Sequence, residues 1–547
     1  MSLSPSRLKT GERPLGGQAR KAPWGPTLTE RRGSVPSLLI VTLAVAAWLG
    51  FSLGLRRLAL PDEGRYAGVA WEMLRSGDWM VPTLNGLPFF HKPPLYYWIT
   101  GASLSVFGPH AWAARVAPWL GALLGALSLW LLLRRWSEPK TARWALVILV
   151  TQPLFFAGAQ FANLDMLVAG FITATIALLA DAVMRFETAQ QGHRVSLVAA
   201  YAMAALGVLA KGLIGVLLPA GIVVVWLVLA RRARWLRGLW SLPGTLVFIA
   251  IAAPWFVAMQ QRYDDFAHYF FVYQHFHRYA LSGFNNPQPV WFFVAGLALC
   301  TLPWFPALWA AWRTRAADRD PPSRLLLVLM WVWLLGIVVF FSMPSSKLIG
   351  YVLPAAPPLA ALIADGVWRL SREHARTERR LKLMAALAVI VCVVGIVTVR
   401  IRDTRTTEPL AQVLAAQRTP GDAVIFVGAF FYDLPLHARL TEPVRVVEAW
   451  NAFDIAARDN WRKELHDAAR FAPAQADAVL IDRADLAQLL CEHPLSWVFA
   501  PRGAAARYPL LGATAPIAVT ERATLWRFDD HACVSHGRTP IAGLRGK

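Results

Sequence analysis

The sequence predicts a polytopic α-helical membrane protein that carries a small folded domain at its C-terminal end. Of the 547 residues, 56% are apolar and only 16% are charged, and the mean hydropathy of +0.42 is far above that of soluble globular proteins. Long apolar runs recur along the chain up to about residue 400, after which the composition becomes ordinary. The same composition excludes a disordered or fibrous protein.

Residues 1–35 are predicted to form a disordered tail. They contain seven Lys and Arg residues against Glu12 and Glu30, and they show no hydrophobic period. The positive-inside rule would keep this tail in the cytoplasm. No small-residue cleavage site follows the first apolar run, so the sequence favours an uncleaved anchor over a removed signal peptide.

Residues 36–399 are predicted to form a transmembrane domain of about 11–13 helices. A helix satisfies all of its backbone N–H and C=O groups without water, and about 20 apolar residues are long enough to cross a bilayer. Eleven such runs are present, at 36–55, 115–133, 144–161, 164–184, 196–210, 212–230, 239–259, 290–312, 325–343, 351–369 and 381–399.

The net charge of +21 comes mainly from basic residues in alternate loops. With the N-terminus in the cytoplasm, every predicted cytoplasmic loop is basic, at 134–143, 185–194, 231–237, 313–324 and 369–382. Basic residues on one side of a membrane need no nucleic-acid partner, so a DNA-binding surface is disfavoured. The odd number of spans places the C-terminus outside.

The predicted external side contains two long loops, 56–112 and 260–289, and the soluble domain 400–547. Short buried strands are predicted at 423–428 and 478–482, with helices at 454–470 and 484–491, which indicates an α/β or α+β domain. Cys491 and Cys533 fall in this domain and could pair if it lies in an oxidising compartment, although their separation says nothing about geometry.

The first external loop begins with Asp62-Glu63-x-Arg65. Two carboxylates and a cation at a membrane surface are costly unless they face water, a ligand or one another. They could form a binding site. They could equally begin a capped amphipathic helix on the membrane, with Trp71, Met73 and Leu74 toward lipid.

Three further external segments carry charges beside apolar sequence. His91-Lys92-Pro93-Pro94 precedes aromatic residues and could bind a ligand or form an interfacial aromatic belt with a snorkelling Lys. Asp165 is either a functional carboxylate or a helix-capping residue together with Asn163. Lys211 interrupts apolar sequence, and it could bind a ligand or merely snorkel.

The remaining candidates lie in the second loop and before the tenth span. His275 and His277 could bind a divalent metal together with His91, although spacing alone is weak evidence. Arg278 and Lys347 add external cations, which do not serve the positive-inside rule. Clustered Lys and Arg beside a bilayer match a phosphate-bearing lipid headgroup.

The order of these motifs resembles that of the GT-C membrane glycosyltransferases. It is similar to the bacterial 4-amino-4-deoxy-L-arabinose (aminoarabinose) lipid A transferases, which are relatives of the protein O-mannosyltransferases. The resemblance covers about residues 36–370. Its motifs are Asp62-Glu63-x-Arg65-Tyr66-Ala67, Lys92-Pro93-Pro94, Asn163-x-Asp165, Lys211-Gly212, His275-x-x-Arg278-Tyr279 and Ser346-Lys347-x-x-x-Tyr351.

The resemblance implies an enzyme that takes its donor sugar from undecaprenyl phosphate at the periplasmic face of the bacterial inner membrane. The implied acceptor is lipid A or another envelope molecule, and aminoarabinose on lipid A would confer resistance to polymyxin and other cationic antimicrobial peptides. It implies no nucleotide cofactor. A related GT-C transferase that moves another sugar, and a transporter of a lipid-linked sugar, are the alternatives.

The resemblance also assigns roles to individual residues. Asp62 and Asp165 are expected to be catalytic. His91 and His275 are the expected ligands of a divalent metal, zinc or magnesium, although aminoarabinose transferases often have Glu where this chain has His91. The residues expected to bind substrate are Glu63, Arg65, Tyr66, Lys92, Lys211, Arg278, Lys347 and Tyr351.

Overall fold

The structure is a computed structural model that describes residues 37–277, 286–314, 321–371, 376–402, 406–455 and 459–529. Helices make up most of the chain up to residue 402, and the strands of a six-stranded sheet follow. The chain is therefore a multi-pass helical membrane protein with an additional sheet-containing region at its C-terminal end.

The first twelve helices run from the first apolar run to the second long loop. They are α1 (Leu38–Gly50), α2 (Asp62–Ser76), α3 (Leu95–Phe107), α4 (Ala111–Ala114), α5 (Val116–Trp136), α6 (Pro139–Thr151), α7 (Pro153–Ala159), α8 (Leu164–Glu187), α9 (His193–Lys211), α10 (Ile214–Leu229), α11 (Trp235–Gly238) and α12 (Leu242–Arg262). A π-helix, His268–His277, follows.

Five more helices complete the membrane-embedded region. They are α13 (Phe292–Cys300), α14 (Leu308–Arg313), α15 (Pro321–Ser342), α16 (Ala356–Ser371) and α17 (Arg376–Arg402), with 3₁₀ turns at Phe305–Ala307 and Ile349–Ala355.

Each of the eleven predicted spans falls on helix. Among the described residues, seven helices are long and apolar enough to cross a membrane, two bent pairs pass the same test together, and α1 and α10 are shorter apolar helices. The pair α6–α7 bends by 64° and the pair around α13 and α14 by 106°. Pro153 starts α7, and Pro303 lies in the second break. Because proline lacks a backbone N–H and clashes with the preceding turn, it explains why these spans are broken.

The first loop that was predicted to be external is largely regular structure. It contains α2, then the antiparallel strands β1 (Thr83–Leu84) and β2 (Leu87–Pro88), then α3 and α4. Asn85 and Gly86 join the two strands with positive φ angles of 55° and 76°. This is the conformation of a two-residue hairpin turn, which favours the Asn-Gly sequence found here.

The C-terminal region is an α/β domain. Its strands are β3 (Ala423–Val427), β4 (Arg445–Glu448), β5 (Leu480–Asp482), β6 (Leu495–Pro501), β7 (Ala518–Val519) and β8 (Ala523–Asp529), in the order β5-β4-β3-β6-β8-β7. The first four are parallel, and β8 and β7 add antiparallel neighbours. Its helices are α18 (Glu408–Gln417), α19 (Leu434–His437), α20 (Trp461–Ala469), α21 (Pro473–Val479), α22 (Leu486–Cys491) and α23 (Pro509–Gly512).

Two sequence predictions in this domain had wrong boundaries. The predicted strand 478–482 is strand only from Leu480, because the residues before it end α21. The helix predicted from residue 454 begins at Trp461, where the Asn460 side chain caps it by accepting from two backbone N–H groups. Cys491 is disulfide-bonded, whereas Cys533 lies outside the described residues.

The opposite end of the helix bundle holds the basic loops. Arg135 and Arg185 pair with Asp181, and Arg232 pairs with Glu187. Asp181 and Glu187 therefore partly neutralise these basic side chains. Both carboxylates lie at the end of α8 opposite to Asp165.

Candidate functional site

The start of α2 presents three of the predicted site residues on one side of the helix. Asp62, Arg65 and Tyr66 are three and four residues apart, the spacing that brings helical side chains together. Arg65 donates to Asp62, and the side chain of Asp62 is 37% exposed. Asp62 can therefore meet a ligand, whereas the guanidinium of Arg65 is largely covered.

Glu63 points away from this group and is fully buried. Its two oxygens accept hydrogen bonds from the guanidiniums of Arg56 and Arg115 and from the backbone N–H groups of Ala59 and Ala162. Burial alone would raise the pKa of Glu63, but the two arginines more than offset it and lower the pKa to about 2. The expected substrate-binding role of Glu63 does not fit this placement, because its acceptor positions are already occupied.

Tyr66 lies near both Asp62 and Asp165. The Cζ of Arg65 is 5.1 Å from the centre of its ring, and the ring of Tyr96 is 5.7 Å away. Burial raises the pKa of Tyr66, Arg65 opposes the increase, and the carboxylates of Asp62 and Asp165 add to it. The phenol is therefore neutral at neutral pH and can donate a hydrogen bond.

A second group surrounds Asp165 at the start of α8. Asn163 caps this helix by accepting from the backbone N–H of Asp165 at 3.0 Å. Lys211, at the end of α9, forms an ion pair with Asp165, and its ammonium lies 4.6 Å from the ring centre of Tyr351. Gly350 packs against the Asp165 carboxylate, where a Cβ would clash. Three predicted residues that are far apart in the chain thus meet here.

These placements resolve several alternatives from the sequence. Met73 is buried and the Trp71 indole donates to the backbone of Leu440, so α2 packs on protein rather than on lipid at these positions. Tyr96 and Tyr97 are also fully buried, which argues against an interfacial aromatic belt.

The segment before α3 holds His91 and Lys92. The ring of His91 is buried, stacks on Phe89 at 4.3 Å and lies 6.1 Å from the ring of Tyr269 in the second loop. Lys92 is half-buried, directly before the Pro-Pro pair that leads into α3. The two long loops, 56–112 and 260–289, are therefore in contact at this segment.

Lys347 is not available as expected. Its side chain is buried, and its ammonium donates to the backbone carbonyls of Gln288, Pro344 and Ser345. In this conformation, Lys347 joins the second external loop to the segment before α16. A direct contact with a lipid phosphate would require those bonds to break.

Two predictions cannot be placed. Arg278 lies outside the described residues, and so does the side chain of His275. In the part of the chain that the structure describes, no three His, Cys, Asp or Glu side chains are grouped as a metal site requires. The metal site at His91 and His275 stays a prediction.

The sequence reasoning missed two residues of the C-terminal domain and one of the membrane region. Glu464 of α20 accepts from Arg65, and the hydroxyl of Tyr432 donates to Glu464 at 2.5 Å. A carboxylate in an ordinary soluble helix carries no local signal of this contact. Arg115 did carry a local signal in the sequence, because it is a cation at the predicted external end of a span.

Comparison with known proteins gives a family match. Residues 38–270 match the family model described as dolichyl-phosphate-mannose-protein mannosyltransferase. This range contains both carboxylates of the candidate site, together with Arg65 and Lys211.

Curated relatives carry a more specific name. Proteins called undecaprenyl phosphate-alpha-4-amino-4-deoxy-L-arabinose arabinosyl transferase are 32% identical over 367 residues in Erwinia tasmaniensis and 31% identical over 378 residues in Yersinia enterocolitica. The alignments cover 64% and 67% of this chain and 64% and 66% of the relatives. The chain thus spans just under two thirds of the length of the relatives it matches.

Two solved structures have a similar fold. The chain is similar to ArnT from Cupriavidus metallidurans bound to undecaprenyl phosphate, with a TM-score of 0.75, 25% identity and coverage of 93% of this chain and 99% of that one. The Archaeoglobus fulgidus oligosaccharyltransferase tethered to an acceptor peptide has a TM-score of 0.51 at 13% identity, over 86% of this chain and 70% of that one, which is a likeness of fold alone.

Proposed function

The chain belongs to the GT-C superfamily of membrane glycosyltransferases, and on that premise we propose that it transfers 4-amino-4-deoxy-L-arabinose from undecaprenyl phosphate to a phosphate of lipid A. The observation that carries the proposal is the convergence of Asp62 and Arg65 with Asp165, Lys211 and Tyr351 at one end of the bundle. Such a group of acidic and cationic side chains suits a phosphate-linked sugar.

The leaving group determines what the cations do. Breaking the bond between the sugar and undecaprenyl phosphate leaves an additional negative charge on the phosphate. A cation that is already in place stabilises this charge more in the transition state than in the ground state. Lys211 and Lys92 are the candidates among the described residues, and Arg278 is a further predicted one.

The acceptor determines what the carboxylates do. A lipid A phosphate has a second pKa near 6, as other phosphate monoesters do, so at neutral pH it is already an anionic nucleophile and requires no general base. Asp62 and Asp165 would then orient the acceptor and hold the ammonium and hydroxyl groups of the sugar. With a hydroxyl acceptor, Asp62 would have to act as the base.

An apolar groove supports a lipid-linked substrate. A cavity of about 750 Å³ runs between α10 and α15, with Leu217 and Phe340 toward the candidate site and Leu229 and Val328 toward the opposite end. Helix α10 starts three residues after Lys211. A polyprenyl chain in this groove would keep its phosphate at the membrane surface beside that lysine.

Two features support a periplasmic orientation of the site in the bacterial inner membrane. The basic loops lie at the other end of the bundle, which the positive-inside rule assigns to the cytoplasm. The disulfide at Cys491 is typical of an oxidising compartment, which supports a periplasmic C-terminal domain. Modified lipid A there would carry less negative charge and bind polymyxin less strongly.

The test is a reconstituted transfer reaction. Purified protein in proteoliposomes, given undecaprenyl-phosphate aminoarabinose and lipid A, should add the mass of an aminopentose to lipid A in mass spectrometry. Asp62→Asn should abolish transfer while the protein stays folded. Asp78→Asn is the matched control, because Asp78 is a carboxylate of the same loop that lies 3.5 Å from Arg262 instead.

A second donor distinguishes the related transferases. If the wild-type protein consumes a polyprenyl-phosphate hexose and leaves the aminoarabinose donor unchanged, the superfamily assignment stands and the proposed sugar is wrong. Donor binding without turnover would favour a transporter.

A further inference from the structure

The C-terminal domain covers the start of α2 with the segments that follow β3 and β4. Tyr432 and Leu440 belong to the first segment, and Glu464 to the helix after the second. The contact with α2 and the hairpin after it therefore involves the segments on both sides of β4.

The contact between this domain and α2 is close. The indole of Trp71 donates to Leu440 at 3.2 Å, and Asn85 exchanges two hydrogen bonds of 2.8 and 2.9 Å with the backbone of Val444. The same surface buries the bond between Arg65 and Glu464, two residues separated by 399 positions in the chain.

Arg65 is shared between two carboxylates from different domains. One of its terminal nitrogens donates to Asp62 and the other to Glu464. Its guanidinium also lies between two rings, 5.1 Å from the centre of Tyr66 and 5.8 Å from that of Tyr432. Glu464 is nearly buried, with 7% of its side chain exposed, whereas Asp62 is open to a ligand.

Tyr432 and Arg65 bind different oxygens of Glu464. Burial raises the pKa of Tyr432 and the Glu464 carboxylate raises it further, so the phenol stays protonated and its hydroxyl donates a hydrogen bond to Glu464. The charge of Glu464 is therefore divided between the phenol and the guanidinium.

We propose that Glu464 is a positioning residue, which holds Arg65 partly away from Asp62 and thereby keeps the Asp62 carboxylate available to the substrate. The inference rests on the proposed function, and it makes the active site dependent on the C-terminal domain. Without the Glu464 charge, both terminal nitrogens of Arg65 are expected to donate to Asp62, since Arg prefers to form two parallel hydrogen bonds with a carboxylate.

Three variants at Glu464 and Tyr432 are expected to differ in activity. Glu464→Gln should lower kcat/KM by about tenfold or more, because an Asp62 carboxylate bound by both nitrogens of Arg65 is less available to the sugar and the acceptor. Glu464→Asp keeps the charge and should recover part of the loss. Tyr432→Phe removes only the bond to the other oxygen of Glu464 and keeps the bond to Arg65, so it should leave kcat close to the wild-type value.

The matched control is Glu408→Gln. Glu408 pairs with Arg57 at 2.9 Å, so it also joins the C-terminal domain to the first loop, but it does not touch Arg65. This variant should stay within about twofold of the wild type, because exposed pairs contribute little. An equal loss in both variants would mean that only domain docking matters, and would overturn the proposal.

A structural readout keeps the inference independent of the sugar. Cryo-electron microscopy of the wild type and Glu464→Gln in nanodiscs should show Arg65 moving onto both oxygens of Asp62 in the variant. An unmoved Arg65, or unchanged kcat/KM, would reject the inference. If the wild type uses a donor other than aminoarabinose, the proposed function fails and the kinetic comparison is made with that donor. If no donor is consumed, the position of Arg65 in the wild type and in Glu464→Gln alone tests the inference.

Discussion

Two adjacent carboxylates at the start of α2 have different fates. Successive helical residues point about 100° apart, so Asp62 faces the candidate site and Glu63 faces the bundle. Asp62 keeps part of its surface exposed, whereas Glu63 is enclosed by Arg56 and Arg115. Asp62 is therefore a candidate catalytic residue, whereas Glu63 stabilises the fold.

Glu63→Gln should destabilise the protein rather than the reaction. It leaves two buried guanidiniums without their shared carboxylate, which costs about 3–5 kcal/mol when a buried pair is broken from one side. Thermal unfolding in detergent at pH 7 should show this loss. Activity should fall only in proportion to the folded fraction, and a stable but inactive variant would contradict the structural role.

The same pair predicts a pH dependence. The pKa of Glu63 is lowered from 4.5 to about 2, so the ionised form stabilises the folded state fully above pH 4.5. That contribution is lost as the pH falls toward 2. The difference in unfolding midpoint between wild type and Glu63→Gln should be constant from about pH 7 to pH 5 and shrink at lower pH. A difference that is independent of pH would be inconsistent with this ion pair.

Asp165 and Lys211 can be tested together. Lys211→Met leaves a largely buried carboxylate unpaired and should cost about 3 kcal/mol of stability. Adding Asp165→Asn removes the second charge and should restore most of the stability, because neutral residues of similar volume often replace a buried pair without loss. Transfer should stay absent in the double variant. Recovered activity would show that neither charge takes part in the reaction.

At the scale of elements, α2 has a second face, which packs against the C-terminal domain and was not predicted from the sequence. Gly64 and Gly68 lie one turn apart and let the backbone of residues 432–433 approach the helix. A Cβ at Gly68 would be 3.1 Å from the Tyr432 carbonyl oxygen, and one at Gly64 would be 3.0 Å from the Asp433 nitrogen. Small residues at this spacing allow close packing of backbones.

Gly68→Leu should weaken the docking of the C-terminal domain. The larger side chain has no room between α2 and Tyr432, so limited proteolysis should release the domain faster and the unfolding midpoint should fall. Gly395→Leu is the control, since no atom lies within 4 Å of a Cβ at that position in α17. Equal behaviour of the two variants would mean that the contact contributes nothing.

The elements were predictable to the extent that their causes are local. A bilayer forces every crossing segment into a helix, and all eleven apolar runs are helical. The Asn85-Gly86 turn and the Asn163 cap follow from backbone preferences of single residues. The ion pair of Arg65 with Glu464 had no such cause, because the two side chains become neighbours only after the whole C-terminal domain has folded onto α2.

The candidate site shows the same limit. Topology predicted which charged residues share one end of the molecule, and the Asp165–Lys211 pair fits that prediction. It could not predict that Glu63 is enclosed or that Lys347 is bound to backbone carbonyls, since burial depends on packing between distant segments. Sequence therefore indicated the end of the bundle but not the accessible members of the group.

At the scale of the whole molecule, the side of the membrane is the quantity to measure. Gln191, in the basic loop after α8, and Ala513, in the C-terminal domain, are both exposed and lie on different sides in the proposed orientation. Each can be changed to cysteine after Cys300→Ser and Cys392→Ser remove the free thiols. Cys491 is held in a disulfide and should not react.

An impermeant maleimide should label Ala513→Cys in intact spheroplasts and label Gln191→Cys only after the membrane is permeabilised. Labelling of both after permeabilisation controls for thiol reactivity. The reverse pattern would place Glu464, and with it Arg65 and Asp62, in the cytosol. The acidic and cationic groups would then face the leaflet that the positive-inside rule assigns to the basic loops, and a periplasmic transfer reaction would be ruled out.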